Sequence, residues 1–244
     1  MNFDPTNRLL YLSVAGSYSY GTNTENSDLD LKGILIAPLS YYLGFSNRFE
    51  QLTGNSNMTQ FRKYLTGKIN WSDDKPIDGT VYDIQKFFKL ASGCNPNVLE
   101  SLFIQPEHKL FDYGNWISGD KEQFLSNELY YTIRGFCRSI EKKPKPDSKD
   151  QAHLIRLLNM GSECFRSGTL QVYNKEQTQK LLSIRHQQIS TEEYNDLLRE
   201  SKERFESTFI KSVLPNKPNY DYLNKLCQDI IQNFNPCELK SNET

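Results

Sequence analysis

Two aspartates, Asp28 and Asp30, stand two positions apart in the run Asp28-Leu29-Asp30-Leu31. On a strand that spacing sends both carboxylates off one face while Leu29 and Leu31 turn into the sheet. Neighbouring carboxylates repel each other. A hard divalent cation, Mg²⁺ or Mn²⁺, relieves the repulsion by taking oxygens from both, ordinarily together with phosphate oxygens, so phosphate chemistry is what such a pair suits. Taken alone, alternating acids also suit a solvated strand face. Upstream, Gly16-Ser17 closes an apolar run eleven residues before the first aspartate. A glycine there lets the backbone come close to a phosphate, and Ser17 adds a hydroxyl to the amides of the following turn. The two segments together would place an anion cradle beside a cation site.

The elements that must position these residues are legible in the apolar pattern. Leu9 to Ala15 is a short apolar run closed by Gly16, and Asp28 to Ile36 alternates before becoming continuously apolar; both predict strands. Between Gly44 and Lys75 the composition turns polar, which predicts a long loop or insertion that orders only with a ligand. Thr80-Val81-Tyr82 has strand propensity, and Ile84 to Ala91 switches to helical spacing before Gly93. From Asn127 the apolar residues recur at three and four, predicting a helix that ends before Pro144. Glu141 to Asp147, with two prolines and three lysines, reads as an exposed connection. Helical spacing resumes over Gln151 to Phe165 and Thr191 to Val213, the latter opened by a Ser190/Glu193 capping box, and a last helix is expected over Tyr220 to Phe234. The tail from Glu238 should fray. Strands followed by helices predict an α+β chain, with residues 1–120 forming a strand-containing domain and residues 121–244 a helical one.

Composition narrows the function classes. The chain has 244 residues, 29 Lys+Arg against 30 Asp+Glu, 37% hydrophobic and 12% aromatic residues. That describes a folded chain rather than a disordered one. A formal charge of -1 excludes a uniformly basic surface, so any nucleic acid must bind in a local groove. No apolar run approaches the ~20 residues of a membrane span. Met1-Asn2-Phe3-Asp4-Pro5 lacks a secretory pattern, which makes the cytoplasm the expected compartment. Cys94, Cys137, Cys164, Cys227 and Cys237 are odd in number and hold no CxxC pair, so reduced thiols are expected. His108, His153 and His186 form no H-E-x-x-H, and neither a P-loop nor G-x-S-x-G is present.

Gly16-Ser17 followed by Ser27-Asp28-Leu29-Asp30-Leu31 resembles the G-S…D-x-D signature of the polymerase beta-type nucleotidyltransferase superfamily. The wider pattern runs from Gly16 to Asn23 and Ser27 to Gly33, then Lys86 to Leu90, Asn95-Pro96 and Glu100 to Phe103. It is similar to the YcgL/RlaP-type nucleotidyltransferases associated with RNA repair. The likeness continues through Lys149, His153 to Leu158 and Leu181 to Arg185, covering residues 9 to 200. The segment from Gly44 to Lys75 has no counterpart in that pattern.

The resemblance implies a polymerase beta-like mixed-sheet catalytic domain over residues 1–120 and a helical domain over residues 121–244 on the acceptor side of the cleft. It also implies a third carboxylate on a later strand, since two metal ions need more than one D-x-D pair. Asp78 and Asp83 are both available; the family comparison favours Asp78, while Asp83 stands at a strand-to-helix junction where it would cap the helix. The Asp73-Asp74 pair is expected to be solvated. Pyrophosphate as a leaving group calls for positive charge. Lys86 and Lys89, on the helix after the third acid, are candidates for nucleotide contact or for a plain exposed face. Lys149, His153 and Arg156 lie at helical spacing and could face the cleft as acceptor or phosphate contacts, or pack between helices. Asn95 and Glu100 are expected to organise the turn after the sheet.

These expectations combine into a two-metal enzyme that moves a nucleoside monophosphate from an NTP to an acceptor hydroxyl and releases pyrophosphate. The resemblance points to an RNA 3′ end as the acceptor. A protein hydroxyl, accepting AMP or UMP, is the rival within the same chemistry, and a nucleotide-binding module without turnover is the rival outside it.

Overall fold

The computed structural model describes residues 3–25, 27–46, 48–69, 71 and 76–234. Five strands, β1 (Leu9–Ala15), β2 (Leu29–Leu35), β3 (Gln51–Thr53), β4 (Ile77–Asp83) and β5 (Lys109–Asp112), form one mixed sheet in the order β3-β4-β2-β1-β5. The β2/β4 pair is parallel and the other pairs are antiparallel. Short helices lie between the strands: α1 (Gly16–Ser19), α2 (Ser40–Leu43), α3 (Asn55–Met58), α4 (Ile84–Ser92) and α5 (Pro96–Leu99). Five longer helices follow the sheet: α6 (Glu128–Glu141), α7 (Ser148–Ser167), α8 (Lys175–Arg185), α9 (Thr191–Ile210) and α10 (Tyr220–Asn233). The chain is α+β, with a mixed sheet first and a helical region after it.

The burial of β2 explains its sequence. Leu29 and Leu31 are buried between half-exposed Asp30 and Lys32, whereas Gly33, Ile34 and Leu35 are all buried. One half of the strand therefore borders an open cleft, and the other half is covered on both faces. On the covered face that Ile34 shares, the apolar residues of the sheet and of α4, α5, α6, α7, α9 and α10 form one continuous core, from Leu10 and Tyr11 to Ile230 and Phe234, while Leu181 and Ile184 of α8 pack on Ala152 and Ile155 in a smaller cluster. This core runs without interruption across residue 120. The opposite face of the sheet carries a second core built on Leu29, Leu31, Leu35 and Val81.

That second core corrects the expectation of a loose insertion between Gly44 and Lys75. Leu52, Met58, Phe61 and Leu65 from this segment pack on the back of the sheet, and Met58 and Phe61 are wholly buried. The four are diluted among polar residues, yet the sheet needs them, because without a cover its leucines would face water. Asp73, Asp74, Lys75, Cys237 and the tail lie outside the described residues.

The helix signals match the structure closely. Asp83 caps α4 by accepting from the Gln85 N–H, and Ser190 and Glu193 form a reciprocal capping box on α9. Asp147 and Asp150 do the same for α7, immediately after the exposed 141–147 connection. The edge strand β5 and helix α8 were not anticipated. β5 has only four residues, and α8 buries only Thr178, Leu181 and Ile184, too few to set up a period. No helix among the described residues is long and apolar enough to cross a membrane.

Candidate active site

Parallel pairing of β2 with β4 puts Asp30 directly opposite Asp78, and antiparallel pairing with β1 puts Ala15 on the other side of Asp30. Gly16, the next residue, therefore lies against the Asp30 carboxylate. Its φ is +62°, and a β-carbon placed on it would stand 2.1 Å from Asp30 Oδ2. Only glycine fits there. Gly79 is constrained in the same way on the parallel side, since at φ +148° its β-carbon would meet the Leu31 carbonyl oxygen at 2.1 Å. The Gly79 N–H donates to Asp78 Oδ1 at 2.7 Å, which orients that carboxylate.

Asp28, just before β2, is exposed and lines the same cleft as Asp30 and Asp78. Asp30 is the one whose charge is disfavoured by the other two. Burial first, then the charge on Asp78 and, less strongly, that on Asp28 push the Asp30 carboxyl above its ordinary value, against the pull of Lys32 and Lys149. Among the described residues, no three His, Cys, Asp or Glu side chains close into a cage that would hold an ion by themselves. The acids are suited instead to part of a coordination shell. Mg²⁺ is ordinarily held by one or two carboxylates, with phosphate and water oxygens completing its octahedron. The crowding that lifts Asp30 is the local observation that a divalent cation fits this donor set.

Asp83 is not part of the cluster. It is buried five residues along β4, where it accepts from the Tyr42 hydroxyl at 2.5 Å and from the Gln85 N–H at 2.9 Å. Lys86 is likewise not brought to the cleft, which corrects its expected contact with nucleotide. It follows Asp83 past the far end of β4, pairs with Glu50 at 2.8 Å and borders a separate pocket together with Lys89.

The Lys149, His153 and Arg156 stripe of α7 does face the cleft, but its members differ in kind. Lys149 acts on Asp30 through its charge. Arg156 is buried, donates from Nη1 to Glu100 Oε1 at 2.6 Å and stacks 3.8 Å over the Tyr20 ring. The Tyr20 hydroxyl donates to the other Glu100 oxygen at 2.5 Å. His153 Nδ1 lies 3.2 Å from Arg156 Nη2, and burial together with that cation pushes the imidazole down to about 3. His153 is therefore a neutral acceptor at physiological pH.

Glu100 is more than an organiser of its turn, because its carboxylate joins the segment after α1 to the middle of α7. Two bonds from α8 hold that same segment: Thr178 Oγ1 donates to the Tyr20 carbonyl at 2.9 Å, and Arg185 Nη1 to the Thr22 carbonyl at 2.5 Å. The helical region thus clamps the Gly16-Ser17 turn. Asn95 caps α5 by accepting from the Asn97 N–H at 3.1 Å. Sequence reasoning passed over Lys32, which continues the two-residue period of Asp28 and Asp30 onto the same face. That period was the signal that could have found it.

Two chambers meet at the carboxylates. A wide one of about 720 Å³ runs from Ser17 and Asp28 to α6, α7 and α8, bordered by Lys143, Lys149 and Arg185. A narrower one of about 300 Å³ lies over β2 and β4 beside Lys32, Thr80 and Asn97. Both are lined by Gly16, Tyr20, Asp30 and Asp78.

The site therefore consists of paired carboxylates on neighbouring strands of a small mixed sheet, with a Gly-Ser turn pressed against them. The chain belongs to the RlaP family, described as the RNA repair pathway DNA polymerase beta family, whose sequence model matches residues 4–229. It is also 31% identical over 121 residues, 48% of its length, to the uncharacterized 38.9 kDa protein of the nrdC-mobD intergenic region of Enterobacteria phage T4. The match spans 33% of that phage protein. Among solved structures, the spectinomycin adenyltransferase AAD(9) from Enterococcus faecialis, with ATP and spectinomycin, is similar at a TM-score of 0.39 and 14% identity. That likeness covers 82% of this chain and 92% of the other.

Proposed function

We propose that the protein transfers a nucleoside monophosphate from an NTP to the 3′ hydroxyl of an RNA, releasing pyrophosphate. The observation that carries this reading is the register of Asp30 with Asp78 beside a glycine that admits no side chain. Asp28, Asp30 and Asp78 would hold two Mg²⁺ or Mn²⁺ ions, whose chemistry when bound is neutralisation of phosphate charge and a lowered pKa for the attacking hydroxyl. The Gly16-Ser17 turn would hold the β- and γ-phosphates through its amides and the Ser17 hydroxyl, with Lys149 adding charge from α7. Asp78 would orient the acceptor hydroxyl and take its proton as the new bond to the α-phosphorus forms and the bond to pyrophosphate breaks. RNA as acceptor draws on the family's description.

The test is incubation of the chain with each α-labelled NTP and Mg²⁺, with and without RNA. Label should enter RNA at its 3′ end, and Asp30→Asn and Asp78→Asn should each abolish it while circular dichroism stays unchanged. Full labelling by both variants would remove the assignment, and label entering protein instead of RNA would replace the acceptor.

A further inference from the structure

We propose that the narrower chamber is the port for the acceptor strand, and that Lys32 grips the phosphodiester next to the reacting hydroxyl. This rests on the reading of the site as a transferase to RNA.

The two chambers divide the substrates. Ser17 opens only onto the wide chamber, which has the larger volume and carries Lys149 on its wall, with Lys143 paired to Asp150 at 2.5 Å and Arg185 donating to the Thr22 carbonyl at its border. Asp78 borders both chambers, so a hydroxyl presented to it from the opposite side arrives through the narrow one. At about 300 Å³ that space stands at the lower limit of small-molecule sites, suited to a terminal nucleoside rather than a whole NTP. Its walls bear Thr80 and Asn97, suited to hydrogen bonds with sugar hydroxyls, beside Ser19 and Ser101, whose hydroxyls donate to the Gly16 and Val98 carbonyls.

Lys32 is the only cation lining this chamber among the described residues. It sits opposite Thr80, two residues along β2 from the Asp30/Asp78 rung and on the same face, a rise of about 6–7 Å. Its ammonium donates to the Tyr82 hydroxyl at 3.5 Å, and the Tyr82 ring lies 5.5 Å away. Lys32 thus lines the chamber one step beyond the Asp30/Asp78 rung, where the next phosphate of an RNA strand would lie.

The measurement is fluorescence anisotropy of a single-stranded RNA oligonucleotide with a free 3′ hydroxyl, bound to the full chain in Mg²⁺ without NTP. Lys32→Met should weaken RNA binding about tenfold and reduce the slope of log K against log salt by about 0.7, the share of one single-strand phosphate. Lys32→Arg should restore both, and the KM for NTP should stay within twofold of wild type. Unchanged RNA affinity and salt slope in Lys32→Met would overturn the assignment, as would an equal loss of NTP and RNA binding, which would make Lys32 a partner of Asp30 alone. If the wild-type chain labels no RNA, the transferase reading fails and this one with it. If wild type labels RNA and Lys32→Met retains the wild-type KM for it, only the role of Lys32 is lost.

Discussion

Gly16 and Asp30 touch: the Cα of the glycine lies so near the carboxylate that an added methyl group would overlap Oδ2. The Gly-Ser turn and the D-x-D strand are therefore one unit, and the geometry of one sets that of the other. Gly16→Ala should push the Asp30 side chain off its rung opposite Asp78. A displacement near 1 Å costs about 100-fold in turnover, whereas holding alanine at φ +62° costs only about 1–2 kcal/mol. Single-turnover labelling should fall by that factor while the melting temperature drops only a few degrees.

Asp30 trades stability for function. Its carboxyl is held above the ordinary 3.8 by burial and by Asp78, so the folded chain binds a proton that the unfolded chain has already released. Stability from this group is fully present below the ordinary carboxylate value and is lost as pH rises through the lifted one. Asp30→Asn should therefore melt higher than wild type at pH 7, and the gap should close as pH falls below about 4. Mg²⁺ should raise the melting temperature of wild type at pH 7 and leave the variant unmoved. Calorimetry across pH, with and without the ion, checks both.

The Glu100–Arg156 pair, buried on both sides, is a structural joint between sheet and helices. Removing one partner strands a charge in the core, so Glu100→Gln and Arg156→Met should each lose about 3–5 kcal/mol in urea denaturation. The double variant should recover much of that loss. Strict additivity of the two would show that the groups do not act as a pair.

Lys86 and Lys149 separate the two ends of the sheet. Lys86→Ala should leave the KM for NTP within twofold of wild type and change stability by less than about 1 kcal/mol, since its pair with Glu50 is solvent-facing. Lys149→Ala, which removes a cation from the wall of the wide chamber, should raise the KM for NTP about tenfold. Steady-state kinetics with varied NTP reads both, and the reverse ranking would move the nucleotide to the far end of β4.

Local order was legible in the chain: the strand ends at Gly16 and Asp28, the caps at Asp83 and Ser190, and the long helices whose apolar residues repeat at three and four. These depend on contacts within a few residues, and local chemistry records them. Asp28 and Asp30 were legible for the same reason, because a period of two on one strand already places them together. The pairing of Asp30 with Asp78 and not Asp83 was decided by the register of two strands separated by 48 positions, a choice made by the leucines and glycines between them. The 44–75 segment, β5 and α8 are held by what they cover or clamp rather than by their own periodicity, so their composition carried little sign of them. Lys86 and Arg156 carried charge in the right kind of pattern. Tertiary packing sent the first to the wrong end of the sheet and turned the second onto Glu100, because an ionised group in a dry core must be neutralised by a neighbour, wherever along the chain that neighbour comes from.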